Sequence, residues 1–263
     1  MPLSEYKTVL ITGASSGVGM ACVRMLRGRG LDVVALARRE ERLEPLAEET
    51  GCRVLVQDLL DTEKIYTDLP DLGVDILINN AGALHWRPII ETGPKRYDLM
   101  MEVNARAAYA TSYYALPHML KQNSGTIIQM SPPIDMRMLP GKVGYCMSKF
   151  SMSLLALGID AEVTGTEIKS CALWPATAIE SQATINHELG GPESWRKPDI
   201  LVDSVLAILR ASKAEVSGQC FVDEELLESL CGLTDFSNYN CVEGGRPIRI
   251  VGDSASDAKL WRS

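Results

Sequence analysis

The stretch that most limits how this chain can fold is Thr8 to Arg29. Thr8-Val-Leu-Ile-Thr12 is short, apolar and β-branched, the composition of a parallel strand buried on both faces. Met20 to Arg29 carries an apolar periodicity that predicts a helix. Between them lies Gly13-Ala-Ser15-Ser16-Gly17-Val18-Gly19. Glycines there let the backbone turn tightly and approach a pyrophosphate, whose charge a helix N-terminus favours. Three residues separate the first two glycines, unlike the G-x-G-x-x-G spacing. A glycine-rich turn alone specifies little, but between a strand and a helix it points to a bound dinucleotide.

The same alternation continues. Strands are predicted at Asp32–Ala37, Arg53–Gln57, Val74–Ile78, Gly125–Ser131, Ile168–Trp174 and Gln219–Val222. Helices are predicted at Glu40–Glu49, at Arg96–Gln122 with a kink at Pro117, from Tyr145 to about Val163, and at Ile200–Arg210. This order implies right-handed crossovers and an α/β fold, a single Rossmann-type doubly wound parallel sheet flanked by helices. Its ligands belong at the carboxyl ends of the strands. Residues 176–198 hold no convincing strand and include Gly190-Gly191-Pro192, which suggests a substrate loop. Residues 233–263 form a C-terminal extension. Without repeats, low-complexity tracts or an interdomain linker, one domain over 1–263 is expected.

Composition excludes several function classes. Among 263 residues, 46% are hydrophobic and 23% charged, ordinary values for a soluble globular protein. A formal net charge of -8 argues against a nucleic-acid surface. Seven cysteines without a C-x-x-C pair read as reduced thiols of a cytoplasmic protein. His85, His118 and His187 lack metal-ligand spacing, so no metal is expected. Neither a signal peptide, nor an apolar run of membrane-spanning length, nor a peroxisomal C-terminus is recognised, and no membrane association is expected.

Two features bear on cofactor and chemistry. About 20 positions past the glycines, a carboxylate selects the ribose of NAD, whereas arginine accommodates a 2′-phosphate. Here Ala37 is followed by Arg38 and Arg39, which points to NADP(H) over NAD(H). The alternative is that both arginines pair with Glu40, Glu41 or Glu44 at the start of the next helix. Asp58, with Leu59 after it, ends the third strand where a carboxylate can meet the adenine. Tyr145 and Lys149 are four residues apart, on one face of a helix. A phenol near a fixed ammonium can exchange protons, because the positive charge favours phenolate.

Thr12-Gly-Ala-Ser-Ser-Gly-Val-Gly19, Asn79-Asn80-Ala81-Gly82, Asn104 and Tyr145-x-x-x-Lys149 together resemble the short-chain dehydrogenase/reductase family, in its order and spacing across essentially the whole chain. The resemblance implies reversible hydride transfer between NAD(P)H and a carbonyl or alcohol. Position by position, Tyr145 would be the general acid/base, and Lys149 would bind the nicotinamide ribose and lower the Tyr145 pKa. Asn104 would hold a water of the proton relay. Cofactor contacts would come from the glycine turn, Asn80, Ala81, Gly82, Pro175, Thr177 and Ile179. A homodimer or homotetramer, packed through the helices around Asn104–Leu120 and Phe150–Ile159, is also implied.

One departure stands out. The family's fifth strand usually ends in Ser-Ser, the second serine donating to the substrate oxygen, but here Pro132 follows Ser131. Losing such a donor costs roughly 10²–10³ in kcat. Ser131-Pro132-Pro133 also resembles a branch of hydroxysteroid-dehydrogenase-like and citronellol or citronellal dehydrogenase-like proteins. Because proline confines Ser131 to extended geometry and ends the ladder, its hydroxyl is expected to turn toward the substrate as a replacement donor. The contrasting reading is an NADP(H)-binding sensor or scaffold with little catalysis. Trp86, Met136, Met138, Leu139, Leu189 and Trp195 suggest an apolar pocket, with Asp135 and Arg137 available to a polar end. The expected partner is a small carbonyl or alcohol compound.

Overall fold

The computed structural model describes residues 3–61, 67, 69, 72–132 and 139–250. Asp135, Met136, Arg137 and Met138, expected beside the substrate, lie outside the described residues, as do Pro133 and the last part of the C-terminal extension.

Among the described residues seven parallel strands form one sheet: β1 (Thr8–Thr12), β2 (Asp32–Ala37), β3 (Arg53–Val56), β4 (Ile76–Asn79), β5 (Ser124–Met130), β6 (Glu167–Trp174) and β7 (Cys220–Val222). Their order is β3-β2-β1-β4-β5-β6-β7. The order reverses between β1 and β4, the switch point where open α/β sheets bind ligands. Successive strand side chains point to opposite faces, and they feed two cores. Val9, Ile11, Val33, Ala35, Ile76 and Ile78 face one core, with Cys22, Val23 and Leu26 of α1 (Gly17–Arg27). Leu10, Val34, Leu36, Leu77 and Ile127 face the other, with Ala107, Ala110 and Met119 of a long helix. That two-sided burial explains why these strands read as continuous apolar runs.

The other helices are α2 (Glu40–Thr50), α3 (Pro94–Met100), α4 (Ala107–Gln122), α5 (Val143–Glu162), α6 (Gln182–Asn186), α7 (Asp199–Arg210), α8 (Lys213–Val216) and α9 (Asp223–Cys231). The predicted helix over 96–122 is interrupted by a π-helical stretch, Met101–Arg106, where the Ala107 N–H bonds the Glu102 carbonyl. α4 instead runs through Pro117 to Gln122, so the irregularity falls at Asn104 rather than at the proline. Tyr109, Tyr113 and Leu120 on α4 and Met147 and Leu154 on α5 are exposed.

Residues 176–198 are more ordered than a loop. They contain α6 and a 3-10 turn, Pro192–Ser194, and hydrogen-bond to the C-terminal extension. Ala178 N–H donates to the Ile248 carbonyl at 2.9 Å, Ile250 N–H to Ala176 at 2.9 Å, and Cys241 N–H to Trp195 at 3.1 Å. The extension is therefore a strap over the segment that follows β6. No described helix is long and apolar enough to cross a membrane.

Candidate active site

The carboxyl ends of β1, β2, β4, β5 and β6 border a cleft of about 450 Å³. Its β1 end is set by the glycine turn. Gly13 has φ +69, and a Cβ there would lie 2.8 Å from the Ala81 Cα. A Cβ on Gly19 would lie 2.5 Å from the Gly13 carbonyl oxygen, so Gly19 packs the turn from behind rather than lining the cleft. The Asn80 side chain stitches this turn to β4, donating to the Thr12 carbonyl at 3.0 Å and that of Gly13 at 3.3 Å. Thr12 Oγ1 accepts from the N–H groups of Asn80 and Ala81, each at 3.0 Å. Ser15, Ser16, Gly17 and Val18 are thereby presented to the cleft at the start of α1, whose first-turn amides lack helical acceptors.

The arginines after β2 do not pair with α2. Arg39 donates to Ser15 Oγ at 2.8 Å and to Ser16 Oγ at 3.0 Å. Arg38 lies 3.5 Å from the Asp58 carboxylate, both side chains being largely exposed. Arg38, Arg39, Asp58 and Leu59 all line the cleft beside Ala37. Gln57, also in the lining, buries an Oε1 that has no partner among the described residues. A glycine cradle, free helical amides, two guanidinium groups and an unmet buried acceptor fit a dinucleotide's pyrophosphate, ribose and adenine.

At the other end α5 brings Tyr145 and Lys149 into the same cleft. Lys149 is 7% exposed, and its ammonium donates to the Met130 carbonyl at 2.7 Å. Burial pulls its pKa down to about 8. Tyr145 packs edge-on against Trp86, with centroids 5.9 Å apart at 71°. Desolvation raises the Tyr145 pKa above its ordinary value, and neighbouring Cys146 adds to the rise. Burial, the larger cause, sets that direction, and the Lys149 ammonium donates to the Met130 carbonyl.

Asn104 is fully buried and does not line the cleft. Its Oδ1 accepts from Ala83 N–H at 2.6 Å, while Nδ2 donates to the Ala83 carbonyl and to Ser148 Oγ, each at 2.9 Å. It thus clamps the segment after β4 to α5. Ser131 lines the cleft, but its hydroxyl is 2.6 Å from Ser153 Oγ, which also accepts from Trp174 Nε1 at 3.0 Å. The Ser131 and Ser153 hydroxyls thus share a hydrogen bond in which either can donate, and Ser131 Oγ also reaches the Pro132 carbonyl at 3.3 Å. Pro175 and Ile179 line the cleft; Thr177 does not, being buried beneath the strap. The Ala176 N–H donates to Asp223 Oδ1 at 2.9 Å, and burial pushes that carboxyl up to about 7.

Of the expected apolar border, Trp86 lines the cleft; Leu139, Leu189 and Trp195 do not. Trp195 instead is buried, donating to the Leu189 carbonyl at 2.6 Å. Sequence reasoning missed Ser181, Gln182 and Ala183, which start α6 and close the cleft over the glycine turn. A Cβ on Gly17 would lie 3.1 Å from Ser181 Cβ, and Arg42 donates to Gln182 at 3.2 Å. The signal was a reciprocal cap between Ser181 and Thr184, disguised because its third helical residue is Thr rather than Glu or Gln.

Comparison with known proteins agrees with this geometry. The family profile described as short chain dehydrogenase matches residues 7–188. The chain is 34% identical over 263 residues to hydroxysteroid dehydrogenase-like protein 2 of Xenopus laevis, covering 92% of this chain and 62% of that protein. It thus spans less than two thirds of that relative's length. A short chain dehydrogenase structure from Mycobacterium thermoresistibile superimposes with a TM-score of 0.82 at 30% identity, covering 92% of this chain and 93% of the other. A protein assigned as an NAD(P) dependent gluconate 5-dehydrogenase from Beutenbergia cavernae, with NADP bound at low occupancy, gives 0.72 at 25% identity, covering 82% and 94%. The glycine turn, the strand order and the tyrosine–lysine helix thus occur in a chain matched from its first strand to α6, and this chain belongs to the short-chain dehydrogenase/reductase family.

Proposed function

We propose that this protein is an NADP(H)-dependent oxidoreductase acting on a carbonyl or alcohol of a mainly apolar small molecule. One observation carries the reading: a single cleft runs from Arg38 and Arg39, past the glycine turn, to Tyr145 and Lys149. The relative with bound NADP supports a nicotinamide cofactor of this kind. When bound, that cofactor supplies or accepts the hydride.

The chain's own residues do the rest. Ser15, Ser16 and Arg39 orient the adenosine end, and Arg39 meets a 2′-phosphate through its donors. Tyr145 moves a proton at its Oη; its raised pKa keeps the phenol protonated, the state that carbonyl reduction requires. Lys149 holds the nicotinamide ribose from the floor of the cleft. Asn104 keeps Ala83 and α5 in register, so that the reacting groups share one geometry. Leu84, Trp86, Leu99, Val103 and Pro132 give the reactive end apolar walls, which favour an apolar substrate and exclude water.

A cofactor-binding scaffold is the second reading, favoured by Pro132 together with the commitment of Ser131 to Ser153. Tyr145→Phe separates the two. It should lower NADPH-dependent turnover of medium-chain aldehydes and ketones by about 10²-fold or more. NADPH binding should barely change, because only the phenol oxygen is lost. Parental turnover in this variant would overturn the oxidoreductase reading as argued from Tyr145.

A further inference from the structure

Tyr145 sits in the first turn of α5, a turn that no side chain caps. Helix ends fray, whereas a phenol that exchanges a proton with substrate has to stay within ~0.5 Å of its productive position. Among the described residues the Tyr145 hydroxyl has no hydrogen-bond partner, so contacts to the ring and to the turn decide where it lies.

Two neighbours supply such contacts. The first is α3, which Gly144 admits: a Cβ there would lie 3.0 Å from Met100 Cε and 3.5 Å from Tyr97 Cδ2. The second is Trp86, in the segment after β4 that Asn104 holds through Ala83. The Tyr145 and Trp86 rings meet edge to face, with centroids 5.9 Å apart and planes at 71°. Lys142, at the start of the same turn, places its ammonium 4.3 Å from the indole centroid. Residues three apart share a helix face, so α5 grips Trp86 across its first turn.

Trp86 and Tyr145 both line the cleft, whereas Lys142 does not. The indole Nε1 is buried with no partner among the described residues, so the ring, not the N–H, is what Trp86 brings to this contact.

We propose that Trp86 is a positioning residue: gripped by Lys142 and Tyr145, its indole fixes the phenol of Tyr145 at the reactive end of the cleft. This rests on the oxidoreductase reading above. The indole exchanges no proton itself. It also helps to keep water from the phenol, whose pKa is raised by burial, with Cys146 adding to the rise. The titratable groups on the elements packed there are Cys146, Lys149 and Lys142 of α5, Tyr97 of α3, and His85 beside Trp86 in the chain.

Substitutions at Trp86 test this. Trp86→Leu keeps bulk without a ring and should lower kcat about tenfold or more, with NADPH affinity unchanged. Trp86→Phe, the conservative variant, gives up no hydrogen bond at Nε1 and should recover most of that loss. Trp86→Ala should open the phenol to water, so that Tyr145 ionises at lower pH than in the parent. Reduction needs the phenol protonated, so activity falls as pH rises through that pKa, and this limb of the kcat profile should move to lower pH. Ultraviolet difference absorbance, taken against the Tyr145→Phe form of each protein, reads the same ionisation without turnover. Parental kcat in Trp86→Leu, a Trp86→Phe protein no faster than Trp86→Leu, or an unchanged Tyr145 ionisation in Trp86→Ala overturns the proposal. Should Trp86→Ala not fold, the Leu and Phe variants decide it. A protein that binds NADPH but turns over no carbonyl counts against the oxidoreductase reading, and the absorbance titration then decides the coupling of Trp86 to Tyr145 independently.

Discussion

Arg39 leaves β2 with its guanidinium turned to the hydroxyls of Ser15 and Ser16, 24 and 23 residues earlier in the chain. Those hydroxyls are neutral, so the positive charge stays available to a phosphate, which a carboxylate partner would have competed away. Arg38 differs, since Asp58 shares its charge at 3.5 Å. Arg39→Ala should therefore weaken NADPH binding about tenfold or more, on the scale of one charge-assisted hydrogen bond (~1.5–3 kcal/mol). NADH, which lacks the 2′-phosphate, should lose little. Titration of both cofactors checks this, and equal losses would sink the NADP(H) assignment. At this scale the sequence marked the right residues, whereas their partners came from the fold. Ser131 is the clearest case: proline after it predicted an irregular backbone, but nothing local announced Ser153 on α5, 22 residues away.

Among the elements, the segment after β6 and the C-terminal strap depend on each other through Glu224 at the start of α9. Arg196 donates to one Glu224 oxygen, and Arg249 of the strap donates to the other at 2.7 Å. The Arg196 and Glu224 side chains are only 10% and 14% exposed. Removing one partner of such a pair strands the other charge away from water, which costs about 3–5 kcal/mol. Glu224→Ala should thus destabilise the protein by a few kcal/mol. Amide exchange should quicken over 176–198 and 237–250 before it does in β1 or β4. Uniform exchange across the sheet would show that the strap is not an independent layer. The sequence delimited this region by its lack of strands and by Gly190-Gly191-Pro192. The pairing of residues 176–178 with 248–250 joins segments some seventy positions apart, beyond the reach of any local pattern.

Across the whole molecule, Asp75 joins β1, β4 and α4 through one carboxylate. It accepts from Lys7 N–H at 2.7 Å, Thr8 N–H at 2.9 Å, Gln122 Nε2 at 2.8 Å and His118 Nε2 at 3.1 Å. Burial by itself would raise its pKa; the hydrogen bonds from Thr8, Gln122, Lys7 and His118 outweigh it and hold the carboxyl below its ordinary value. An acid depressed in the fold contributes stability that is present above its unfolded pKa, near 3.9, and is lost as pH falls through the folded pKa. Asp75→Asn should therefore cost about 1–3 kcal/mol at neutral pH. The gap between mutant and parent should shrink as pH falls below about 4. Urea midpoints at pH 7 and pH 3 test the sign, and a gap that widens in acid would reverse the assignment.

The sequence by itself determined the architecture and the location of the site. Strand burial on two faces, helix periodicity and the glycine turn are local consequences of side-chain spacing and backbone freedom, so β1, α1, β2 and the face bearing Tyr145 and Lys149 were legible residue by residue. The tertiary structure decided which partner each polar group takes. Lys149 went to the Met130 carbonyl, Ser131 to Ser153, Arg39 to Ser15 and Ser16, and the Trp86 N–H to no acceptor among the described residues. The physical reason is range: periodicity acts over a few residues, whereas a hydrogen bond such as Arg42 to Gln182 joins groups 140 residues apart once the chain has closed on itself.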